Sequence, residues 1–474
     1  MRCHHEPIIV IGNGEIAVNI VHHGAKTGVT GSCHELVIGD NSLLIDCGLF
    51  QGTEARETLD IEFDINNIAA LLLTHSHIDH IGRLPWLLAA GFAGPIYATE
   101  ATAALVPLML EDGLKLQLGL NKKQCEKALA LIHQRIRPVP YDCWAQIVLP
   151  TGELVKIRFR PAGHILGSAY IEIKLPTNEI VVFSGDLGPK NTPLLADPIA
   201  PTAVHTLVIE STYGDKPNHQ LEHRQQVLKQ IIEHSLQDGG AIVIPAFSVG
   251  RTQELLFDLE NIIAQIDIDP NETEINKRVW KSLPVILDSP LAQKVTEQYR
   301  YFHELWAKEA KHRRYMGRHP LAFEQCITID SHADHIKLVN RLQHSGEPAI
   351  IVAASGMCSG GRVVNYLKAL LADKRTDIIF AGYQAQGTTG RTLVDGDRVI
   401  KIDDKVIDVA AQIHQLSGYS AHAAQSDLVS FVADIEQGPK VIKVVHGDLK
   451  AQTALAVELR KVKPEATVII AASE

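Results

Sequence analysis

The chain has 474 residues, too many for one ordinary hydrophobic core, so two domains are expected. Its 46% hydrophobic and 21% charged residues are typical of a water-soluble globular protein, and no apolar stretch is long enough to span a membrane. The formal charge of −10 excludes a uniformly basic nucleic-acid-binding surface and leaves only local positive patches. One such patch is residues 299–319, where Arg300, Lys308, Lys311, Arg313, Arg314 and Arg318 alternate with aromatic side chains, a pattern that equally describes a solvated helical face. The N-terminal "MRCHHEPIIVIGNGEIAV" lacks the apolar core and cleavage site of a secretion signal. The seven cysteines are odd in number, scattered and free of CxxC pairs, which points to reduced thiols in a cytoplasm.

In chain order, "KTGVTGSCHELVIGDNSLLIDCG" predicts two strands about a Gly-Asp-Asn turn. "IAALLLTH" is a short buried strand; "PWLLAAG" and residues 100–134 have helical spacing. "LVKIRFRPAGH" alternates as a half-buried strand does, and "IEIKLPTNEIVVFSGD" predicts a hairpin. Strands with helices between them imply an α/β fold with αββα layering. From about residue 205 the texture changes. "LVIEST", "AIVIPAFSVGR", "PVILDSP", "PAIIVAASGMCSGGR" and "DIIFAGYQAQGTTGR" are apolar runs, each ending in a polar turn before a helical pattern. That is the signature of a buried parallel sheet, whose carboxyl strand ends line ligand crevices. The tail returns to the strand–helix–strand style, so the second domain reads as an insertion into the first.

Residues 74–80, "THSHIDH", close the "IAALLL" strand. His75 and His77 are two apart on extended chain, so both imidazoles face one way and can share an ion. Asp79 and His80, where the chain turns into a loop, can face a second ion a few ångström away. Imidazole and carboxylate suit zinc.

An HxHxDH run after an apolar strand resembles the signature of the metallo-β-lactamase fold, and further matching pieces follow in order. Asp46 in "LLIDCG", His164 in "PAGHILGSA" and Asp186 in "VVFSGDLG" match, respectively, the early-strand aspartate, the third metal histidine and the metal-bridging carboxylate. Asp46 would accept a hydrogen bond from a ligand imidazole, or else serve as a turn residue before Gly48. In the second half, Glu210 in "LVIESTYGD", His422 in "LSGYSAHAAQSDL" and His446 in "VIKVVHGDLKA" are similar to the three motifs of the β-CASP branch, the nucleases with an inserted domain. A histidine in the third motif is the mark of the RNA-processing members. No KH-type GxxG domain precedes the fold, which favours the shorter, bacterial-type form.

The resemblance therefore implies a metallo-β-lactamase domain over residues 1–212 plus 409–474 and a Rossmann-like β-CASP domain over 213–408. It implies two Zn2+ ions per chain, held by His75, His77, Asp79, His80, His164, Asp186 and His446. Asp79, Glu210, His422 and Asp46 would form the catalytic set. The reaction would be hydrolysis of single-stranded RNA by a metal-bridging hydroxide, leaving a 5′-phosphate and a 3′-hydroxyl, with Glu210 and His422 protonating the departing oxygen. Internal cleavage by an endonuclease and 5′–3′ exonucleolysis both remain open, as does a homodimer, and no membrane partner is expected. Other readings also stay open: a small-ester or thioester hydrolase of the same fold, a DNA nuclease, or an inactive RNA-binding scaffold. Glycine-rich and serine-bearing turns offer Ser248, Arg251, Ser355, Ser359, Arg362 and Arg391 as phosphate contacts; the alternative is ordinary strand–helix turns. "SHADH", residues 331–335, mimics the metal motif but lacks its HxH; it reads as a helix start capped by Ser331 with Asp334 in the first turn.

Overall fold

The computed structural model describes residues 17–118, 121–218 and 223–473. The alternation in "LVKIRFRP" forms strand Leu154–Pro161, with Val155, Ile157 and Phe159 pointing into a core. Opposite them lie Leu36, Leu43, Ile45 and Leu72 from a second sheet, so the innermost layer is apolar side chains from two stacked sheets. Each such side chain, fully buried, contributes about 1.5–3 kcal/mol of burial.

The first sheet runs in sequence order through Val18–Gly24, Cys33–Ile38, Asn41–Ile45, Ile68–Leu72, Ile96–Thr99 and Ile136–Val139. It is antiparallel over its first three strands and parallel thereafter. The second sheet orders Thr467–Ile470, Val441–Val444, Thr206–Ile209, Ile180–Phe183, Ala169–Lys174, Leu154–Pro161 and Trp144–Val148. Its first four strands are parallel and its last three antiparallel. Helices cover both outer faces. Glu100–Leu118 and Lys122–Arg135 pack Val106, Leu110 and Ile132 against the first sheet, and Gln425–Ala433 and Leu449–Val462 pack Leu428, Phe431, Leu455 and Leu459 against the second. The αββα expectation holds. One helical stretch at 100–134 is in fact two helices, the second opened by an Asn121–Gln124 capping box.

The other compact unit comprises Thr192–Leu194 and His219–Ala421. Its sheet, Cys326–Thr328, Val285–Asp288, Ala349–Ala353, Ala241–Pro245, Asp377–Phe380 and Gln412–Gln415, is parallel throughout. Continuous apolar runs thus became a buried parallel sheet. "LVIEST" did not join it: Thr206–Ile209 pairs with Ile180–Phe183 and Val441–Val444 in the first unit. A fully buried parallel strand reads alike in either unit, because its pattern does not name its neighbours. In the 299–319 segment, Arg313 and Arg318 turn inward to Glu260, while Arg300, Lys308, Lys311 and Arg314 remain exposed.

Candidate metal centre

Strand Ile68–Leu72 is buried on both faces and delivers Thr74 and His75 to the edge of the sheet. His77 then caps a short helix, Ile78–Ile81, where a loop had been expected; the His80 and Ile81 amides both donate to the His77 carbonyl at 3.0 Å. This one turn brings the His80 ring to 4.0 Å from that of His75, against 4.9 Å for His77. Gly48 makes room for it: a Cβ there would lie 1.6 Å from the Asp79 carbonyl oxygen. Gly185, at φ +51°, lets the chain before Asp186 press against Thr74. Asp46 and His446 adopt left-handed backbone at φ 60° and 52°, conformations that cost a non-glycine residue about 1–3 kcal/mol and cluster at functional sites.

Two groups of donor atoms result. In the first, His77 Nδ1 lies 3.1 Å from His75 Nε2 and 3.0 Å from His164 Nε2, and Asp186 Oδ2 is 3.6 Å from both of those Nε2 atoms. In the second, His80 Nε2 lies 3.3 Å from Asp186 Oδ2 and 3.8 Å from Asp79 Oδ2; His446 lies 4.0 Å from Asp79 and 3.6 Å from Asp186 Oδ1. Asp186 belongs to both groups, and each group's ligand atoms lie within 4.8 Å of one another.

Beside them, His422 Nδ1 sits 3.3 Å from Glu210 Oε2 and 3.8 Å from Asp186. Glu210 is fixed in turn by the Leu187 amide at 2.7 Å and the Thr212 amide at 3.3 Å.

Electrostatics suits His75, His164 and Asp186 to ligation. Burial holds His75 and His164 well below the usual imidazole range, so they are neutral lone-pair donors. Burial opposes ionisation of Asp186, but His446, His80 and His422 outweigh it and keep the carboxyl well below its ordinary value. Burial also works against charge on His422; Glu210 and Asp186 reverse this and raise it to about 9.

The residues fit a metal. Both Asp186 carboxylate oxygens, His80 Nε2 and His446 Nε2 are buried without a hydrogen bond. Buried polar atoms are rarely left so, and here they face one another across a small space. The remaining ring nitrogens are held from behind. Asp46 Oδ2 is 2.7 Å from His80 Nδ1, and the Thr74 amide and hydroxyl both donate to Asp46 at 2.8 Å. Asp46 is thus the partner that fixes an imidazole rather than a turn residue alone. Thr74 Oγ1 also accepts from His75 Nδ1 at 3.1 Å, and Thr212 Oγ1 lies 3.1 Å from His446 Nδ1. Thr74 and Thr212 were not singled out from sequence. Their only signal is a hydroxyl next to a ligand-bearing strand end, in "LTHSH" and "ESTYG". His34, stacked near Phe183 and lining the same cavity, was missed as well.

The six residues expected to grip phosphate all lie in the second unit. Ser248 Oγ meets Ser289 Oγ at 3.3 Å, and Ser359 donates to the Met357 carbonyl at 3.4 Å. Arg362 spans Asp288 Oδ1 at 2.5 Å and the Ile329 and Asp330 carbonyls at 2.7 and 3.1 Å. Arg391 Nε donates to Asp395 at 2.9 Å, Arg251 stacks over Phe247 at 5.6 Å, and Ser355 Oγ is buried without a hydrogen bond. In "SHADH", Ser331 caps helix His332–Ser345 and accepts from the Asp334 amide, as read from the sequence.

Comparison with known proteins agrees with this geometry. Residues 27–246 match the model of the metallo-beta-lactamase superfamily, 252–393 that of the Beta-Casp domain, and 406–471 that of the Zn-dependent metallo-hydrolase RNA specificity domain. Ribonuclease TTHA0252 of Thermus thermophilus is 34% identical over 441 residues, covering 92% of this chain and 95% of that protein. The chain belongs to the β-CASP family of the metallo-β-lactamase superfamily. Transcription termination factors FttA of Methanocaldococcus jannaschii and Methanosarcina mazei are each 30% identical, over 94% of this chain and 69% of their own length. A crystal structure of a protein of unknown function from Enterococcus faecalis shares the fold, with a TM-score of 0.52 at 15% identity over 95% of this chain and 97% of that one. Membership makes the chain a metal-dependent hydrolase of a fold that implies divalent metal, and the His/Asp cluster offers donor groups able to hold it. No helix among the described residues is long and apolar enough to cross a membrane.

Proposed function

We propose that the chain is a ribonuclease that hydrolyses phosphodiester bonds of single-stranded RNA with two zinc ions. The observation that carries this is Asp186: a buried carboxylate with both oxygens free of hydrogen bonds, shared by two donor groups. His75, His77 and His164 would hold one ion, and Asp79, His80 and His446 the other, with Asp186 common to both. Three imidazoles and carboxylates are the donor set zinc prefers. Bound divalent ions supply hydroxide near neutral pH and neutralise charge on the phosphoryl oxygens.

The chain's own residues do the rest. Asp46, Thr74 and Thr212 orient three ligand imidazoles, so the site needs little rearrangement when occupied. His422, its Nδ1 side turned to Glu210, gives a proton from its other nitrogen to the ribose 3′-oxygen as the P–O3′ bond breaks. The products are a 5′-phosphate and a 3′-hydroxyl. RNA as substrate is supported by the ribonuclease relative matching nearly end to end and by the RNA specificity model over 406–471. The assay is cleavage of end-labelled single-stranded RNA by zinc-loaded protein, beside matched DNA, a chelator control and Asp79→Ala. RNA cleavage that stops with chelator and in the variant is expected. Preferential DNA cleavage, or undiminished activity after chelation, would overturn the assignment.

A further inference from the structure

Resting on the ribonuclease reading, we propose that Phe247 and Tyr383 in the second unit form a stacking ledge for the bases of single-stranded RNA. Both are exposed, at 39% and 50%, although Ala246 just before Phe247 and Ala381 two residues before Tyr383 are buried. They leave neighbouring parallel strands, Ala241–Pro245 and Asp377–Phe380, whose register pairs Ile242 with Asp377 and Val243 with Ile378. Both therefore emerge at the carboxyl edge of the sheet, the edge where α/β units bind ligands.

Arg251 joins the two segments. Its guanidinium stacks over the Phe247 ring at 5.6 Å and fills the space beside Gly382, where a Cβ would lie 1.7 Å from Nη1. In the turn after the adjoining strand Ala349–Ala353, Gly356 packs against Phe247; a Cβ there would fall 3.0 Å from the Phe247 amide nitrogen and 3.1 Å from its ring. The Phe247 ring is thus held from behind by an arginine and a glycine while part of it stays open to water. An exposed aromatic backed by a cation is a poor use of apolar surface in folding but a good platform for an unstacked base. Arg251 adds positive charge for the backbone in a chain that is acidic overall, whereas Arg391 is paired with Asp395. Stacking of this kind tolerates any base, because every base has a π-face.

The test is binding of a fluorescent 12-nucleotide single-stranded RNA, and of an abasic ribose-phosphate oligomer of equal length, in full chain carrying His422→Ala to block cleavage. Phe247→Ala and Tyr383→Ala should each weaken binding of the RNA roughly 5- to 100-fold. Neither should change binding of the abasic oligomer, nor the salt dependence, since no charge is altered. Phe247→Trp and Tyr383→Phe should bind RNA as the parent does. If the parent binds both oligomers equally well, or the alanine variants lower both alike, the ledge is wrong while the ribonuclease reading stands. If the parent binds neither, both fall.

Discussion

Asp186 in the first unit and Asp288 in the second are both buried, both lie at or just beyond the end of a strand, and both sit beside histidines. Their surroundings differ in kind. Asp288 is saturated by protein: His335 Nδ1 at 2.6 Å, Arg362 Nη1 at 2.5 Å and the Tyr366 hydroxyl all reach it, and Asn365 is 2.9 Å from His335 Nε2. Asp186 accepts no hydrogen bond, though five imidazoles surround it. "SHADH" and "THSHIDH" look alike as strings, yet among the described residues every group of donors able to hold an ion lies in the first unit. Histidine and aspartate in a row do not make a metal centre. What makes one is leaving their lone pairs unspent.

The largest expected effect follows from that contrast. Asp186→Ala should reduce RNA cleavage by about 1,000-fold or more, because it removes the carboxylate common to both groups; initial rates on labelled RNA check it. Asp288→Ala should instead destabilise the fold by roughly 3–5 kcal/mol, since Arg362 is left without its buried counter-charge. Urea unfolding monitored by circular dichroism would show it, and a loss near zero would mean that the Asp288 cluster is not structural. Next in size, Asp46→Asn should weaken metal affinity roughly 10- to 100-fold, and Thr212→Val about 10-fold, through loosened imidazoles. Competition with a zinc-binding dye reads both, and unchanged affinity in either would remove that residue's orienting role.

The smallest effect is in pH. Burial opposes ionisation of Asp288, but hydrogen bonds from His335, Tyr366 and Arg362 outweigh it and lower its pKa. A carboxyl depressed on folding stabilises fully above its unfolded value of roughly 4. That contribution is lost as pH falls through the lower folded value. Between pH 5 and 2 the urea midpoint of the wild type should therefore fall more steeply than that of Asp288→Asn. Parallel curves would contradict it.

The sequence shows the first half of this contrast better than the second. His75, His77, Asp79 and His80 are legible because one strand and one turn bring them together locally. His164, Asp186, Glu210 and His446 come to them only through the order of strands in the second sheet, and His422 only through the chain leading into helix Gln425–Ala433, so resemblance to known motifs had to stand in for that geometry. Thr74 and Thr212 escaped because a single hydroxyl carries no periodicity, and its role exists only once two strand ends meet. Arg362 looks like a loop cation in "SGGRVVN", but Asp288 is 74 residues away, so nothing local reveals the pairing. By pattern alone the strand Thr206–Ile209 could not be told from those of the inserted sheet, and only the motif-based boundary at residue 212 put it in the first domain, because burial on both faces is visible in the pattern and the neighbour is not.

Metal analysis of purified full-length protein tests the central contrast most directly, comparing wild type, Asp186→Ala and His335→Ala. Two divalent ions per chain are predicted for the wild type and for folded His335→Ala, and fewer than two for Asp186→Ala. Two ions retained in Asp186→Ala, or metal lost from a folded His335→Ala, would contradict the account.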